Sequence, residues 1–165
     1  MRPGQPEQAE AVTAQHIEAV LTMLPRLFDY VVVDCELSYD EKLLAVLDHA
    51  DSILLVVTPQ LGAVRNAKHF LHLAETLGYP RAKIAVVLNR ANANPAFTAG
   101  DVERALGPGY LVRLESNDRL LGSVTAGVPI VQAHPRSDYA CVIRQLAERI
   151  RDSADSALES EQVWR

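Results

Sequence analysis

The chain has 165 residues, of which 48% are hydrophobic and 22% are charged, and its formal net charge at pH 7 is −5. This composition is typical of a globular protein with a substantial hydrophobic core. The acidic balance argues against a broad basic surface, so we predict no nucleic acid partner. The sequence contains no apolar run of about 18 residues, so no transmembrane segment is expected.

The potential metal and redox residues are few. Cys35 and Cys141 are too few and too widely spaced for a disulfide framework or a zinc site. His69 and His72 lie three positions apart on a predicted helix, but no acidic or Cys partner is near them in the sequence, which favours a solvated face over a metal site. We therefore expect a reduced, cytoplasmic environment.

The chain divides into three parts by composition. Residues 1–8, MRPGQPEQ, are rich in Pro, Gly and Gln and are expected to form a flexible lead-in. Residues 9–152 are predicted to form a single α/β domain, which opens with an amphipathic helix over 9–24. Residues 153–165 are acidic and are expected to be disordered.

The stretch FDYVVVDC, residues 28–35, is the central feature of the pattern. Three consecutive β-branched valines predict a strand buried on both faces of a parallel sheet. Asp34 ends this strand, where α/β proteins bind ligands, although a turn or capping role for Asp34 stays open. The spacing of Ser38 and Glu41 predicts a capping box at the start of the next helix.

The same alternation of strand and helix continues to the end of the domain. Further strands are predicted over 52–58, 83–89 and 110–114, with a weak edge strand over 129–132. Further helices are predicted over 62–77, 101–106, 119–126 and 139–150. Strands separated by helices of this length predict a doubly wound, mainly parallel sheet with helices on both faces.

These segments, in this order, resemble the back two-thirds of a MinD/ParA-type P-loop ATPase. The cues are FDYVVVD, TP followed by AVRNAK, LNR at the end of a strand, and ND with GVPIV downstream. Within that superfamily the sequence is most similar to the CpaE/TadZ branch, which is associated with Flp pilus assembly and its polar localisation. The resemblance covers roughly residues 10–150 and implies a P-loop NTPase-like fold.

The resemblance also implies roles for individual residues. Asp34 matches the acid that closes the Walker B strand and holds magnesium through a water. Asn89 matches the amide that reads adenine, and Ser116 and Asn117 match the loop that closes over the base. Arg65 lies on the helix that borders the dimer interface in relatives. The implied cofactors are ATP and magnesium, and the implied partners are a second copy and pilus or secretion machinery at a cell pole or membrane.

One hallmark of that superfamily is missing from the sequence. No Gly-rich loop of the form G-x-x-x-x-G-K-[ST] is present, and no Lys follows a Gly. In the family's sheet the P-loop strand lies between the Asp34 strand and the 52–58 strand. The two strands could pair directly, another chain could supply the strand between them, or this chain could be a piece of a longer protein.

Glu36 adds a negative charge near the expected phosphate position, which should weaken anion binding.

Three functional interpretations remain. The first is a CpaE/TadZ-like regulatory or localisation module that does not hydrolyse ATP on its own in this form. The second is a fragment of an active MinD/ParA-family ATPase whose P-loop lies upstream. The third and weakest is a response-regulator receiver domain, with Asp34 as phosphoacceptor and Thr58 as the switch hydroxyl. Receivers need a Lys where this chain has Asn89 and Arg90.

Overall fold

The structure is a computed structural model that describes residues 12–162, without the side chains of Tyr110 and of residues 153–162. The chain divides into two compact units, the first ending at Asp51 and the second beginning at Ser52. The predicted lead-in, residues 1–8, lies outside the described residues. A single domain over 9–152 stays a prediction.

The described part of the first unit, residues 12–51, contains two α-helices that pack against each other, α1 (Ala14–Met23) and α2 (Glu41–His49). The Thr13 hydroxyl begins α1 by accepting a hydrogen bond from the backbone N–H of His16 at 3.4 Å, which satisfies one of the free amides of the first turn. A short 3-10 helix, Leu24–Arg26, follows α1 and has Pro at its second position. The first predicted helix is therefore present at Ala14–Met23, and residues 9–11 of its predicted range lie outside the described residues.

The N-cap of α2 is Asp40, so the predicted capping box of Ser38 and Glu41 was wrong. The Asp40 carboxylate accepts a hydrogen bond from the backbone N–H of Leu43 at 2.9 Å. Asp40 has extended backbone angles and directly precedes the first helical residue, which is the geometry that a cap requires. This bond is the largest influence holding the pKa of Asp40 below its ordinary value.

Residues 28–35 have no regular secondary structure, so the predicted strand was wrong. The three valines of this stretch, Val31, Val32 and Val33, are exposed by 37%, 94% and 44%. A strand needs a neighbour that takes up its backbone N–H and C=O groups. The three strands of the sheet all follow Ser52, and none pairs with 28–35.

The second unit is built on a parallel sheet of three strands in the order β1 (Ile53–Val57), β2 (Ile84–Asn89) and β3 (Tyr110–Leu114). In the register, Val57 lies opposite Leu88, and Asn89 lies opposite Leu114. The helices are α3 (Leu61–Thr76), α4 (Ala99–Leu106), α5 (Arg119–Ala126), α6 (Ile130–Ala133) and α7 (Asp138–Gln162), with a 3-10 helix at Arg81–Lys83. The predicted α/β fold with a parallel sheet is confirmed.

Both faces of β2 are buried, as its continuous apolar run predicts. Val86 and Leu88 pack on one face with Val64 and Ala67 of α3 and with Val102 of α4. On the opposite face, Val87 packs with residues of β3 and α7: Val112, Leu114 and Leu146. Helices therefore cover both faces of the sheet.

Residues 130–133 form the short helix α6, so the predicted edge strand over 129–132 was wrong. Pro129 directly precedes the helix with φ −56°, a value that suits the start of a helix. Ile130 is buried. The apolar residues that suggested a strand therefore anchor a helical turn instead.

The last helix, α7, continues through the first part of the predicted tail. Its bounds are Asp138–Gln162, whereas residues 153–165 were expected to be disordered; residues 163–165 lie outside the described part. The segment contains Ala, Leu and Glu, which favour helix. Extending an existing helix also avoids the cost of nucleation.

Candidate functional site

Three loops leave the carboxyl ends of the three parallel strands. Residues 58–60 follow β1, residues 90–98 follow β2, and residues 115–118 follow β3. Parallel strands end at the same edge of a sheet, and doubly wound α/β proteins bind their ligands outside this edge. The polar residues of these loops are therefore the first candidates for a site.

Asn92 ties the loop after β2 to the loop after β3. Its side-chain oxygen accepts a hydrogen bond from the backbone N–H of Ser116 at 2.8 Å. Next to it, the N–H of Ala91 donates to the carbonyl of Leu114 at 2.9 Å, which continues the strand pairing by one further bond. The two loops are thus held together beyond the end of the sheet.

Asn94 ties the same loop to the one after β1. Its side-chain N–H donates to the carbonyl of Pro59 at 3.2 Å, and its side-chain oxygen accepts from the N–H of Ala96 at 3.1 Å. Neither Asn92 nor Asn94 was predicted as a site residue from the sequence. The signal was the repeat in ANANP, where two Asn residues two positions apart follow a strand.

The predicted base-binding residues lie together at the ends of β2 and β3. Asn89 is the last residue of β2 and half-buried, and its side-chain amide makes no hydrogen bond to any side chain or backbone group that the structure describes. The Asn117 side-chain oxygen accepts from the N–H of Arg119 at 3.0 Å, which leaves its N–H₂ group to donate. Ser116 is exposed. An amide with a free donor and a free acceptor suits the edge of a purine, and the role in binding nucleotide stays a prediction.

Asp34 belongs to the first unit and is exposed on the irregular stretch 28–35. A magnesium ion in a nucleotide site usually takes one or two carboxylates together with phosphate oxygens. Asp34 offers an accessible carboxylate, but the rigid strand that should hold it in place is not formed. No cluster of three or more His, Cys, Asp or Glu residues suited to a metal occurs within residues 12–162. The role of Asp34 stays a prediction.

Among the described residues, the cysteine and histidine side chains outside these loops show no sign of a reactive or metal-binding site. The Cys35 thiol is exposed, and its pKa is raised, first by desolvation from the surrounding chain and then by the charge of Asp34, which disfavours the nucleophilic thiolate. His69 and His72 are both exposed on α3.

In the part of the chain that the structure describes, no helix is both long enough and apolar enough to cross a membrane.

The parallel sheet with helices on both faces places this chain in the doubly wound α/β class, whose members bind their ligands at the carboxyl edge of the sheet. Two curated relatives are MinD proteins, described as septum site-determining proteins. The one from Thermotoga maritima is 24% identical over 147 residues, covering 86% of this chain and 54% of the relative. The one from Bacillus subtilis is 25% identical over 154 residues, covering 91% and 57%. The chain thus spans about half the length of these relatives, and no protein-family model matches it.

Solved structures show the same likeness. A ParA family ATPase from Chlorobium tepidum has a TM-score of 0.77 at 25% identity, covering 88% of this chain and 61% of that one. MinD from Pyrococcus horikoshii, complexed with Mg-ADP, has a TM-score of 0.74 at 16% identity, covering 88% and 60%. A MinC:MinD complex from Aquifex aeolicus has a TM-score of 0.72 at 18% identity, covering 86% and 60%.

The relatives and the structural neighbours together support the predicted MinD/ParA-type P-loop ATPase superfamily. They favour that interpretation over the receiver domain with Asp34 as phosphoacceptor. The neighbours below 25% identity establish the fold alone. The CpaE/TadZ branch stays a prediction.

Proposed function

We propose that this chain is a CpaE/TadZ-like module of MinD/ParA type that acts in pilus assembly and localisation, or in related spatial regulation, by binding protein partners. It recognises the base of an adenine nucleotide through Asn89, Ser116 and Asn117. It does not hydrolyse ATP on its own, because these 165 residues contain no Gly-rich phosphate-binding loop. The alternative is an active ATPase whose phosphate-binding loop lies upstream of this segment.

The observation that carries this proposal is the pair of side-chain bonds at the carboxyl edge of the sheet. Asn92 holds the backbone of Ser116, and Asn94 holds the carbonyl of Pro59. A preorganised pocket binds more tightly because the ordering of its loops is completed before the ligand arrives. The side-chain amide of Asn89 then hydrogen-bonds the base, while the loops on both sides of it are already ordered.

A direct test compares nucleotide binding by the wild-type chain and by Asn89→Ala. We expect weak binding of ATP and ADP that Asn89→Ala reduces at least tenfold, or about 1.4 kcal/mol. Asn89→Asp keeps the size of the side chain but loses its donor, so it should also bind adenine poorly. Full retention of ATP affinity in Asn89→Ala would contradict the base-reading role.

The proposed magnesium role of Asp34 needs a different measurement. If Asp34 holds magnesium, Asp34→Ala should remove the magnesium dependence of ATP affinity and leave the affinity without magnesium unchanged. Glu36→Ala is a matched control, because it removes a negative charge two positions along the chain from Asp34 and, as predicted from the sequence, should strengthen ATP binding slightly. An equal loss of affinity with and without magnesium in Asp34→Ala would count against the Walker B role.

Protein partners are the second half of the proposal. One MinD-type neighbour was solved as a complex, MinC with MinD, which supports a function through protein contacts. Arg65 lies exposed on α3, the helix that we propose borders a homodimer interface. Sedimentation equilibrium should detect a dimer that Arg65→Glu weakens. Arg104→Glu, on α4, should leave the association unchanged, and equal effects of both variants would contradict this interface.

A further inference from the structure

Arg90 has a backbone conformation that disfavours any residue with a side chain. Its φ is +56°, and Tyr39 is the other non-glycine residue with positive φ in the described part of the chain. In this region Cβ approaches the backbone closely, which glycine would avoid. Strained residues of this kind cluster at binding sites.

The Arg90 side chain lines a cavity of about 260 Å³ at the carboxyl edge of the sheet. The cavity lies between the loop after β1 and the loop after β2, and Asn94 closes it by its bond to Pro59. Its lining residues are Thr58, Pro59, Gln60, Arg90, Ala93 and Asn94. The site predicted for the base lies on the other side, between the ends of β2 and β3.

The charge of Arg90 is not neutralised within the described residues. Arg104, Arg113 and Arg151 form ion pairs with carboxylates. Arg90 forms none, it makes no side-chain hydrogen bond to another described group, and the cavity lining contains no acidic residue. Arg90 is exposed at the rim of this cavity, whose other polar lining residues are Thr58, Gln60 and Asn94. An exposed guanidinium beside such a cavity attracts an anion, and phosphate oxygens match its planar donors best.

The size of the cavity limits what it can hold. Sites for drug-sized ligands usually span about 300–1,000 Å³, so this cavity suits a phosphate group with part of a sugar rather than a whole nucleotide. Asn89 is the residue before Arg90, and neighbouring strands lie about 4.8 Å apart. Because Asn89 and Arg90 are consecutive residues at the end of β2, a nucleotide whose base contacts Asn89 can place its first phosphate against Arg90.

We propose that Arg90 is a further ligand-contacting residue, whose guanidinium binds the α-phosphate of the nucleotide in the cavity beside β1. This inference rests on the proposed function for the identity of the ligand. It gives the chain an anion contact that does not depend on a Gly-rich loop. In this arrangement Asn89 contacts the base of the nucleotide, and Arg90, the next residue, contacts its α-phosphate.

The test uses the 165-residue chain with three probes, adenosine, AMP and inorganic phosphate, titrated by calorimetry or by NMR shifts. Arg90→Gly removes the guanidinium while keeping the turn unstrained, so it should fold. We expect it to weaken AMP binding about tenfold and to leave adenosine binding unchanged. Arg90→Lys should bind AMP with intermediate affinity, because it keeps the charge without the planar fork.

Arg104→Ala is the matched control. It removes an exposed Arg that lines a separate cavity with Arg81 and Gly109, residues that precede β2 and β3 at the opposite edge of the sheet. AMP affinity in Arg104→Ala should equal that of the wild type. An AMP affinity for Arg90→Gly that equals the wild type would overturn the proposal.

The probes separate this proposal from the proposed function. Phosphate binding that depends on Arg90, without any adenosine or AMP binding, would support an anion site here and overturn nucleotide recognition. Adenosine and AMP binding of equal strength, both insensitive to Arg90→Gly, would overturn the Arg90 site and leave the base site standing. Absence of binding by all three probes would overturn both.

Discussion

The side-chain oxygen of Asn92 accepts a hydrogen bond from the backbone N–H of Ser116, although the two residues lie 24 positions apart in the chain. This contact joins the loop after β2, which begins next to Asn89, to the loop that carries Ser116 and Asn117. Asn92→Ala removes the acceptor, so we expect the free energy of unfolding to fall by about 1 kcal/mol. Urea denaturation measures this loss, and ATP binding should weaken with it because the 115–118 loop is less ordered.

Asn92→Asp provides the control for that substitution. It keeps an oxygen at the position that accepts from Ser116, so it should retain most of the stability that Asn92→Ala loses. If both variants lose the same amount, the hydrogen bond is not what stabilises the loop.

The side-chain amide of Asn94 both donates a hydrogen bond, to the Pro59 carbonyl, and accepts one, from the Ala96 N–H. Asn94→Asp places a carboxylate against the Pro59 carbonyl, where the N–H₂ group now donates. We expect a loss of about 1–2 kcal/mol at pH 7, larger than that of Asn94→Ala. At pH 3 a protonated carboxyl can donate again, so the difference between the two variants should shrink. A difference that does not change with pH would contradict this geometry.

Arg90→Gly should stabilise the protein while it weakens the proposed anion contact. Removing the side chain from a residue with φ +56° relieves a cost of roughly 1 kcal/mol. The reverse change, Gly127→Ala, provides the control: Gly127 has φ +65° and nothing lies within 4 Å of an added Cβ, so Ala should destabilise through the backbone alone. Thermal melts of the two variants should shift in opposite directions.

Asp101 makes the stability of the second unit depend on pH. Its carboxylate accepts from the hydroxyl of Thr98 at 2.7 Å and from the Thr98 N–H at 2.8 Å. These bonds, with a smaller effect of Arg104, hold the pKa of Asp101 below its ordinary value. The charged form is thus favoured by folding, so its stabilisation is complete above the unfolded pKa of about 4.

That stabilisation is lost as the pH falls through the folded-state pKa of Asp101. Asp101→Asn should therefore lower Tm relative to the wild type at pH 7, with the gap closing towards pH 2. A gap of constant size across this range would show that the carboxylate charge does not contribute.

The sequence predicts most of the second unit correctly. The pattern in 110–114 and 119–126 gives the same bounds as β3 and α5, because buried β-branched runs and apolar residues at helical spacing are local signals. The prediction for 28–35 fails for a non-local reason. Its valines favour a strand, but a strand forms only when a neighbour pairs with it, and no local pattern reports whether that neighbour is present.

In the candidate site, too, local features could be predicted from the sequence and non-local contacts could not. The positions of Asn89, Ser116 and Asn117 could be predicted, because each lies at or near the end of a recognisable strand, but their role in nucleotide binding comes from the resemblance and stays a prediction. The contacts of Asn92 and Asn94 join residues 24 and 35 positions apart, and no spacing rule connects such distant positions. The positive φ of Arg90 is also invisible in the sequence, because Arg carries no preference for that conformation.

The measurement that we would make first is a calorimetric titration of the 165-residue chain with ATP and magnesium, with phosphate release followed in the same samples. Asn89→Ala is titrated alongside. We predict weak ATP binding that depends on Asn89 and is accompanied by no hydrolysis. ATP turnover by this chain alone, or ATP binding that Asn89→Ala leaves unchanged, would contradict a base-reading module that lacks its own phosphate-binding loop.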